Sequence, residues 1–272
     1  ILFIHNYVQL PKTRKITNFF SHGIMQCFRQ TAFIIWKLKV NDMKTSRIII
    51  AAVLGAAVSM QSCTKDDGFS YEDLIPNAVV TVKPDGDKFY LQLDDKTVIY
   101  PSNMTKSPYG DKEVRAFTNY KLESESNGVQ IGNVLWLKAL LTKQTVASEG
   151  AEKDAEKYGS DPVEIIDAFP TVCEDGYLTL RFRALWSRFN YIQHEVNLVT
   201  GVDPSDPYVV EFRHNDHGDI KEIPTEAYVA FRLNQLPDTE GKTVKLKVRY
   251  NASSGKTKTI EFNYKTRPGD GK

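Results

Sequence analysis

From Ala78 onward, hydrophobic and polar positions alternate with a period of two, and the apolar runs are short and end in turn residues. Ala78 to Val82 is apolar and β-branched, and Asp85-Gly86 marks a turn. Phe89 to Leu93 and Thr97 to Tyr100 flank Asp94-Asp95-Lys96 and predict a hairpin, stopped by Pro101. Val114 to Leu122 alternates imperfectly through Val114, Ala116, Tyr120 and Leu122. Val129 to Thr142 predicts one or two further strands, with Val134, Trp136 and Leu140 on one face. Five short strands in about 70 residues predict a small barrel.

Residues 147–161 are polar and poor in β-formers. A short helix over Ala151 to Tyr158 is compatible with them but lacks an apolar stripe, so the segment reads as an interdomain linker. After Asp161-Pro162 the pattern is again strand and turn. Tyr177 to Phe182, Glu195 to Thr200, Tyr208 to His214, Tyr228 to Leu233, Lys242 to Tyr250 and Lys256 to Tyr264 predict strands. In Lys242 to Tyr250 the alternation is clean, with Val244, Leu246 and Val248 inward and Lys245, Lys247 and Arg249 outward. Six or seven such strands predict a β-sandwich.

The chain upstream of the barrel has a different character. Met43 to Ser62 carries two cations (Lys44, Arg47), an apolar run from Ile48 to Val58, then small and polar residues before Cys63. This order is that of a secretory signal. The apolar run is too short to span a membrane, which takes roughly 20 residues. Cys63 at its end is the expected lipidation site. Met60 and Gln61 depart from a strict lipobox, and an ordinary secretory signal with an incidental cysteine is the plainer alternative. Lys65, Asp66 and Asp67 look like the surface-export tag of certain Gram-negative lipoproteins, a cation followed by two acids close to the lipidated residue. Residues 1–42 show no clear period and read as upstream sequence outside the protein, or an over-long gene assignment. The expected layout is therefore 1–42 extraneous, 43–62 signal peptide, 63–76 lipidated tether, 77–146 barrel, 147–161 linker and 162–267 sandwich.

Charge follows this division. The formal net charge of the whole sequence is +1, but eight basic residues and one acid, Asp42, fall in residues 1–62. What remains is mildly acidic, which argues against binding a nucleic-acid backbone.

Several local patterns suggest chemistry and then fail. His214-Asn215-Asp216-His217-Gly218-Asp219 offers two imidazoles and two carboxylates, yet reads better as a polar turn than as a metal site. His194-Glu195 opens like a zinc-protease motif, but Leu198 stands where the second histidine belongs, so His194 is expected to be a structural hydrogen-bonding residue at a strand start. Ser254-Gly255-Lys256-Thr257 ends like a phosphate loop but lies between strands and predicts a hairpin turn. Asp94-Asp95 reads as a turn, and Cys173 as a small apolar residue. Trp186, Phe189 and Tyr191 form an aromatic cluster between two strands, which could contact a sugar or a protein partner or fold over the core. No catalytic residue, metal or cofactor is expected.

Ordered along the chain, Phe89-Tyr90-Leu91-Gln92-Leu93-Asp94-Asp95, Tyr100-Pro101, Asp161-Pro162-Val163 and Gly176-Tyr177-Leu178-Thr179-Leu180-Arg181-Phe182 resemble the NigD-like lipoprotein family. His194, Asn197-Leu198-Val199, Phe212-Arg213-His214-Asn215 and Asp219 extend the resemblance over nearly all of 76–265. The resemblance implies an all-β chain, with an N-terminal OB-type barrel and a C-terminal immunoglobulin-like sandwich. It implies a lipid-anchored, non-enzymatic protein at the outer membrane, exposed at the surface or facing the periplasm, with a binding or bacteriocin-immunity-like role. The expected partners are the membrane, through lipid on Cys63, and an envelope protein, bacteriocin-like peptide or glycan. A carbohydrate-binding accessory lipoprotein is the alternative.

Overall fold

The structure, a computed structural model, describes residues 70–189 and 192–270. A short 3-10 turn, Tyr71–Leu74, leads into five strands: β1 (Ala78–Asp85), β2 (Lys88–Gln92), β3 (Val98–Pro101), β4 (Val114–Ser126) and β5 (Val129–Ala139). They close into a barrel in the order β1-β2-β3-β5-β4. All neighbours are antiparallel except β3 and β5. Period two explains the closure: Val80, Val82, Phe89, Leu91, Ile99, Ala116 and Val134 point to one interior. The long β4–β5 hairpin turns at Asn127-Gly128, both with positive φ (50° and 78°), the conformation a tight two-residue connection requires. Two register shifts, at Asn119/Tyr120 and Leu122/Ser124, account for the imperfect alternation in β4.

The remaining elements are β6 (Thr142–Gln144), β7 (Val146–Ala147), α1 (Ala151–Tyr158), β8 (Glu164–Ile165), β9 (Val172–Glu174), β10 (Tyr177–Trp186) and β11 (Glu195–Thr200). β12 (Val209–Asn215), β13 (Ile223–Arg232), β14 (Val244–Asn251) and β15 (Thr257–Tyr264) complete them. One sheet runs β6-β13-β10-β8 with β9 also on β10, and the other runs β15-β14-β12-β11-β7. Leu178, Leu180 and Phe182 from the first meet Leu198, Phe212, Leu246 and Val248 from the second in a fully buried core. Phe182 and Phe212 pack edge to face at 5.3 Å.

Residues 147–161, expected as a linker, are built into the sandwich instead. β7 pairs in parallel with β11 (Val146 with Val199, Ala147 with Thr200). β6, just before it, pairs in parallel with β13. α1 forms over Ala151–Tyr158 and buries Asp154 and Tyr158. Asp154 Oδ2 accepts from Ser148 Oγ and Oδ1 from the Glu149 N–H, so polar contacts hold the helix where an apolar stripe is lacking.

The outer face of β1 and β4 is covered by the outer face of β10 and β13. Arg115 is 1% exposed. Its guanidinium donates to Thr81 Oγ1 (3.1 Å) within the barrel and to Thr179 Oγ1 (3.3 Å) in the sandwich. Lys83 pairs with Asp175 at 2.7 Å, and Phe117 meets Tyr228 edge to face at 5.2 Å. Glu113 Oε1 accepts from the Tyr177 hydroxyl (2.6 Å), Arg232 (3.1 Å) and Arg267 (2.8 Å). Burial pushes the Glu113 carboxyl upward, but these partners win and hold it below the usual range. Glu113→Ala should cost about 2 kcal/mol, because it strands the Tyr177 hydroxyl and takes one of two carboxylates from Arg232 and Arg267, which keep Asp270. Urea unfolding would show the midpoint falling; an unchanged midpoint would mean the seam does not contribute.

Candidate functional site

The sequence-predicted aromatic cluster is divided by the structure. Trp186 ends β10 inside the sandwich core at 5% exposure, and so cannot meet a sugar or a partner at the surface. Phe189, three residues on, is 85% exposed. Tyr191 lies outside the described residues, as do Cys63, Lys65, Asp66 and Asp67.

What Trp186 covers is a buried polar chain. Its indole stacks on the His194 ring at 4.4 Å between centroids and 13° between planes. His194 stands just before β11, where the pairing of β11 with β12 sets Val196 opposite His214. His194 Nδ1 lies 2.9 Å from His214 Nε2, and His194 Nε2 lies 3.0 Å from Asp219 Oδ2. All three side chains are buried: His194 0%, His214 2% and Asp219 5% exposed. Asp219 comes in from the turn after β12, in which Asn215 Oδ1 accepts from the His217 N–H and Asp216 Oδ1 from the Gly218 N–H. The polar-turn reading of 214–219 therefore holds for its middle, while His214 and Asp219 leave the turn for the interior. Gly159, at φ +80°, closes α1 against this strand; a Cβ there would clash with the His214 carbonyl oxygen.

The electrostatics give each group a state. Burial pushes Asp219 upward, but the Ser187 and Ile220 N–H groups and His194 donate to it and hold its carboxyl below the usual range. It is thus an ionised acceptor. Burial lowers His194, outweighing the pull of Asp219. Burial, and then His194 itself, lower His214 to about 4, against the opposing pull of Asp161, Asp216 and the Pro162 carbonyl. Both imidazoles are neutral at pH 7. His194 then donates Nε2–H to Asp219, and its Nδ1 lone pair takes the Nε2–H of His214.

A carboxylate that orients an imidazole is half of a general-base arrangement. Here the other imidazole nitrogen faces a second buried histidine rather than an accessible reacting atom. The chain's proton-transfer capacity is spent internally, and what it does mechanically is hold two loops together. Asp219 Oδ2 accepts from Ser187 N–H, Glu222 Oε2 accepts from Arg188 N–H, and Glu222 N–H donates to the Trp186 carbonyl (3.2 Å). The two stitched loops present Phe189 and Ile220 (57% exposed) to solvent.

A pocket of about 420 Å³ opens beside this chain, lined by Leu141, Lys143, Gln193, His194, Glu195 and His217. Its charges are largely internally paired: Lys143 Nζ donates to the Val196 carbonyl (2.7 Å) and Asn197 Oδ1 (2.8 Å) and lies 3.4 Å from Glu195. Among the described residues no group of three His, Cys, Asp or Glu is arranged to hold a metal ion. Asp94 caps its turn by accepting from the Lys96 and Thr97 N–H groups. Ser254-Gly255-Lys256 lies in the β14–β15 hairpin turn, with Gly255 at φ +74°, and Thr257 opens β15 opposite Asn251. Cys173 lies on β9, and burial pushes its thiol upward, away from reactivity.

The model of the NigD-like N-terminal OB domain matches residues 79–140, and that of the NigD-like C-terminal beta sandwich domain matches residues 145–264. A protein of Parabacteroides distasonis, provisionally described as toxin-related, is 34% identical with a TM-score of 0.55, over 69% of this chain and 92% of that one. A protein of unknown function from Bacteroides vulgatus is 22% identical (TM-score 0.55) over 71% of this chain and 92% of its own. A NigD-like immunity protein from Bacteroides caccae is 19% identical (TM-score 0.50) over 69% and 95%; these last two show the fold alone. No curated protein matches the sequence.

Proposed function

The chain belongs to the NigD-like family, and from that premise we propose that it is a non-catalytic, lipid-anchored binding or protective protein of the bacterial cell envelope. Cys63 carries the lipid, the residues between it and the pinned Tyr71–Leu74 turn are the tether, shorter than the 63–76 the sequence predicts, and Lys65-Asp66-Asp67 directs the chain to the outer face of the outer membrane. The observation that carries the reading is the use made of the polar cluster. Asp219, His194 and His214 brace two loops from beneath and offer no ring nitrogen to solvent, while those loops expose Phe189 and Ile220. An exposed aromatic on a braced loop is suited to contact with a protein partner. That partner is a bacteriocin-like peptide or another envelope protein. Glycan capture is the weaker reading, because Trp186, its best stacking platform, lies in the core.

Protease treatment of intact cells, with a periplasmic protein as control, tests the placement. Degradation of this chain with the control spared is the expected result. Protection until the outer membrane is broken would overturn surface exposure, and a Cys63→Ala chain that stays with the membrane would overturn the lipid anchor.

A further inference from the structure

The 3-10 turn ahead of the barrel is inside out. Its one buried side chain is an acid, Asp73 (6% exposed), whereas Tyr71 is 78% exposed, Leu74 38% and Ile75 46%. Fraying does not explain this, because three barrel side chains pin the turn. Trp136 Nε1 donates to the Asp73 carbonyl at 2.7 Å. Asn119 Nδ2 donates to the carbonyls of Glu72 (2.9 Å) and Ile75 (2.6 Å). Lys121 pairs with the Asp73 carboxylate at 3.3 Å. The pins hold the polar side of the turn to the protein and leave its apolar side facing outward. A cluster of three large apolar side chains held in water in this way marks a surface that meets something apolar.

Chain length says what it meets. Tyr71 stands only eight positions after Cys63. Fully extended, that stretch reaches at most about 28 Å, and as a flexible tether it averages about 15 Å. A lipid on Cys63 therefore keeps this turn next to the bilayer surface. We propose that Tyr71, Leu74 and Ile75 form a membrane-contact surface that seats the barrel on the interfacial layer of the bilayer, so that the lipid tethers the protein and the turn orients it. This rests on the lipid-anchor reading above. The chemistry fits the apolar side of a bilayer interface and needs no particular headgroup charge. Tyrosine is a residue of the membrane–water interface, with an apolar ring and a polar tip. Lys121 is taken up by Asp73 and Glu72 is exposed, so attraction comes from apolar contact and not from positive charge.

The test uses the full lipidated chain on vesicles of phosphatidylethanolamine and phosphatidylcholine, a fraction of the latter brominated on its acyl chains. Fluorescence added by Tyr71→Trp is compared with that added by Asp87→Trp, after subtracting the parent chain. Asp87 lies in the β1–β2 turn, at the other end of β1 from Asn77 and about 23 Å away. Quenching at position 71 should exceed that at 87 by at least about twofold. Leu74→Asp with Ile75→Asp should remove the excess while the chain still floats with the vesicles. Equal quenching at 71 and 87 in a floating chain would overturn the contact surface and leave the anchor standing. A chain that fails to float and carries no acyl mass on Cys63 would overturn both.

Discussion

His194→Leu lowers the unfolding free energy by about 4 kcal/mol, the expected sum of a donor lost by a buried carboxylate, an acceptor lost by a buried N–H and a lost ring stack. For a chain of this size the melting temperature should fall by about 8–16 °C. Three losses add up. Asp219 keeps its Ser187 and Ile220 donors but loses the imidazole N–H that donates to it. His214 Nε2–H loses its acceptor, and Trp186 loses its stacked partner. Leucine preserves volume, so the effect is electrostatic rather than a cavity. The control is His194→Leu with Asp219→Asn, which removes the stranded charge but keeps a carbonyl for the backbone donors. The double variant should recover about 1–2 kcal/mol relative to the single one. If it is the less stable of the two, or if the single change costs under about 1 kcal/mol, the buried chain is not the brace described here.

Acid should weaken the fold well before the carboxylates titrate. His214 has a folded pKa of about 4, against about 6.5 for an unfolded histidine. Between those values the unfolded chain binds a proton that the folded chain refuses. The associated stability is therefore complete above pH 6.5 and is lost as pH falls toward 4. Over the window the loss is about 3 kcal/mol. His194, lowered by burial, acts in the same direction. Urea midpoints measured from pH 7 to 4 should fall steadily, and His214→Gln should flatten that slope while lowering stability at pH 7. A parallel slope in the variant would assign the acid sensitivity to other groups. Below about pH 4 the steepening should come from Asp219, whose depressed carboxyl stabilises the fold above the unfolded carboxylate range.

Much of this site lay in the alternation pattern itself. On β10, Leu178, Leu180, Phe182 and Ala184 are inward, and the same parity carries Trp186 inward. The sequence alone ends that strand at Phe182, which puts Trp186 in the following loop, whereas β10 runs on to Trp186. On β12, Val210 and Phe212 face the core, which places His214 there as well. His194 continues the parity of Val196 and Leu198. Three of the four residues in the buried stack were thus readable as core positions. Asp219 was not, because it lies in a turn with no period and enters the interior only by the path of that turn.

The sequence by itself determined the two β-rich halves, the position of nearly every long strand, and the turns at Asp94-Asp95 and Ser254-Gly255. These are local properties: a period of two and a turn preference act within a few residues. Only the tertiary structure decided that 142–161 belongs to the sandwich, that Arg115 is buried between the domains, and that Asp73 faces in while Tyr71 faces out. Those depend on partners far away in the chain, Thr179 for Arg115 and Trp136 for the turn. A buried polar group is stable only where such a distant partner meets it, and no local pattern encodes the meeting.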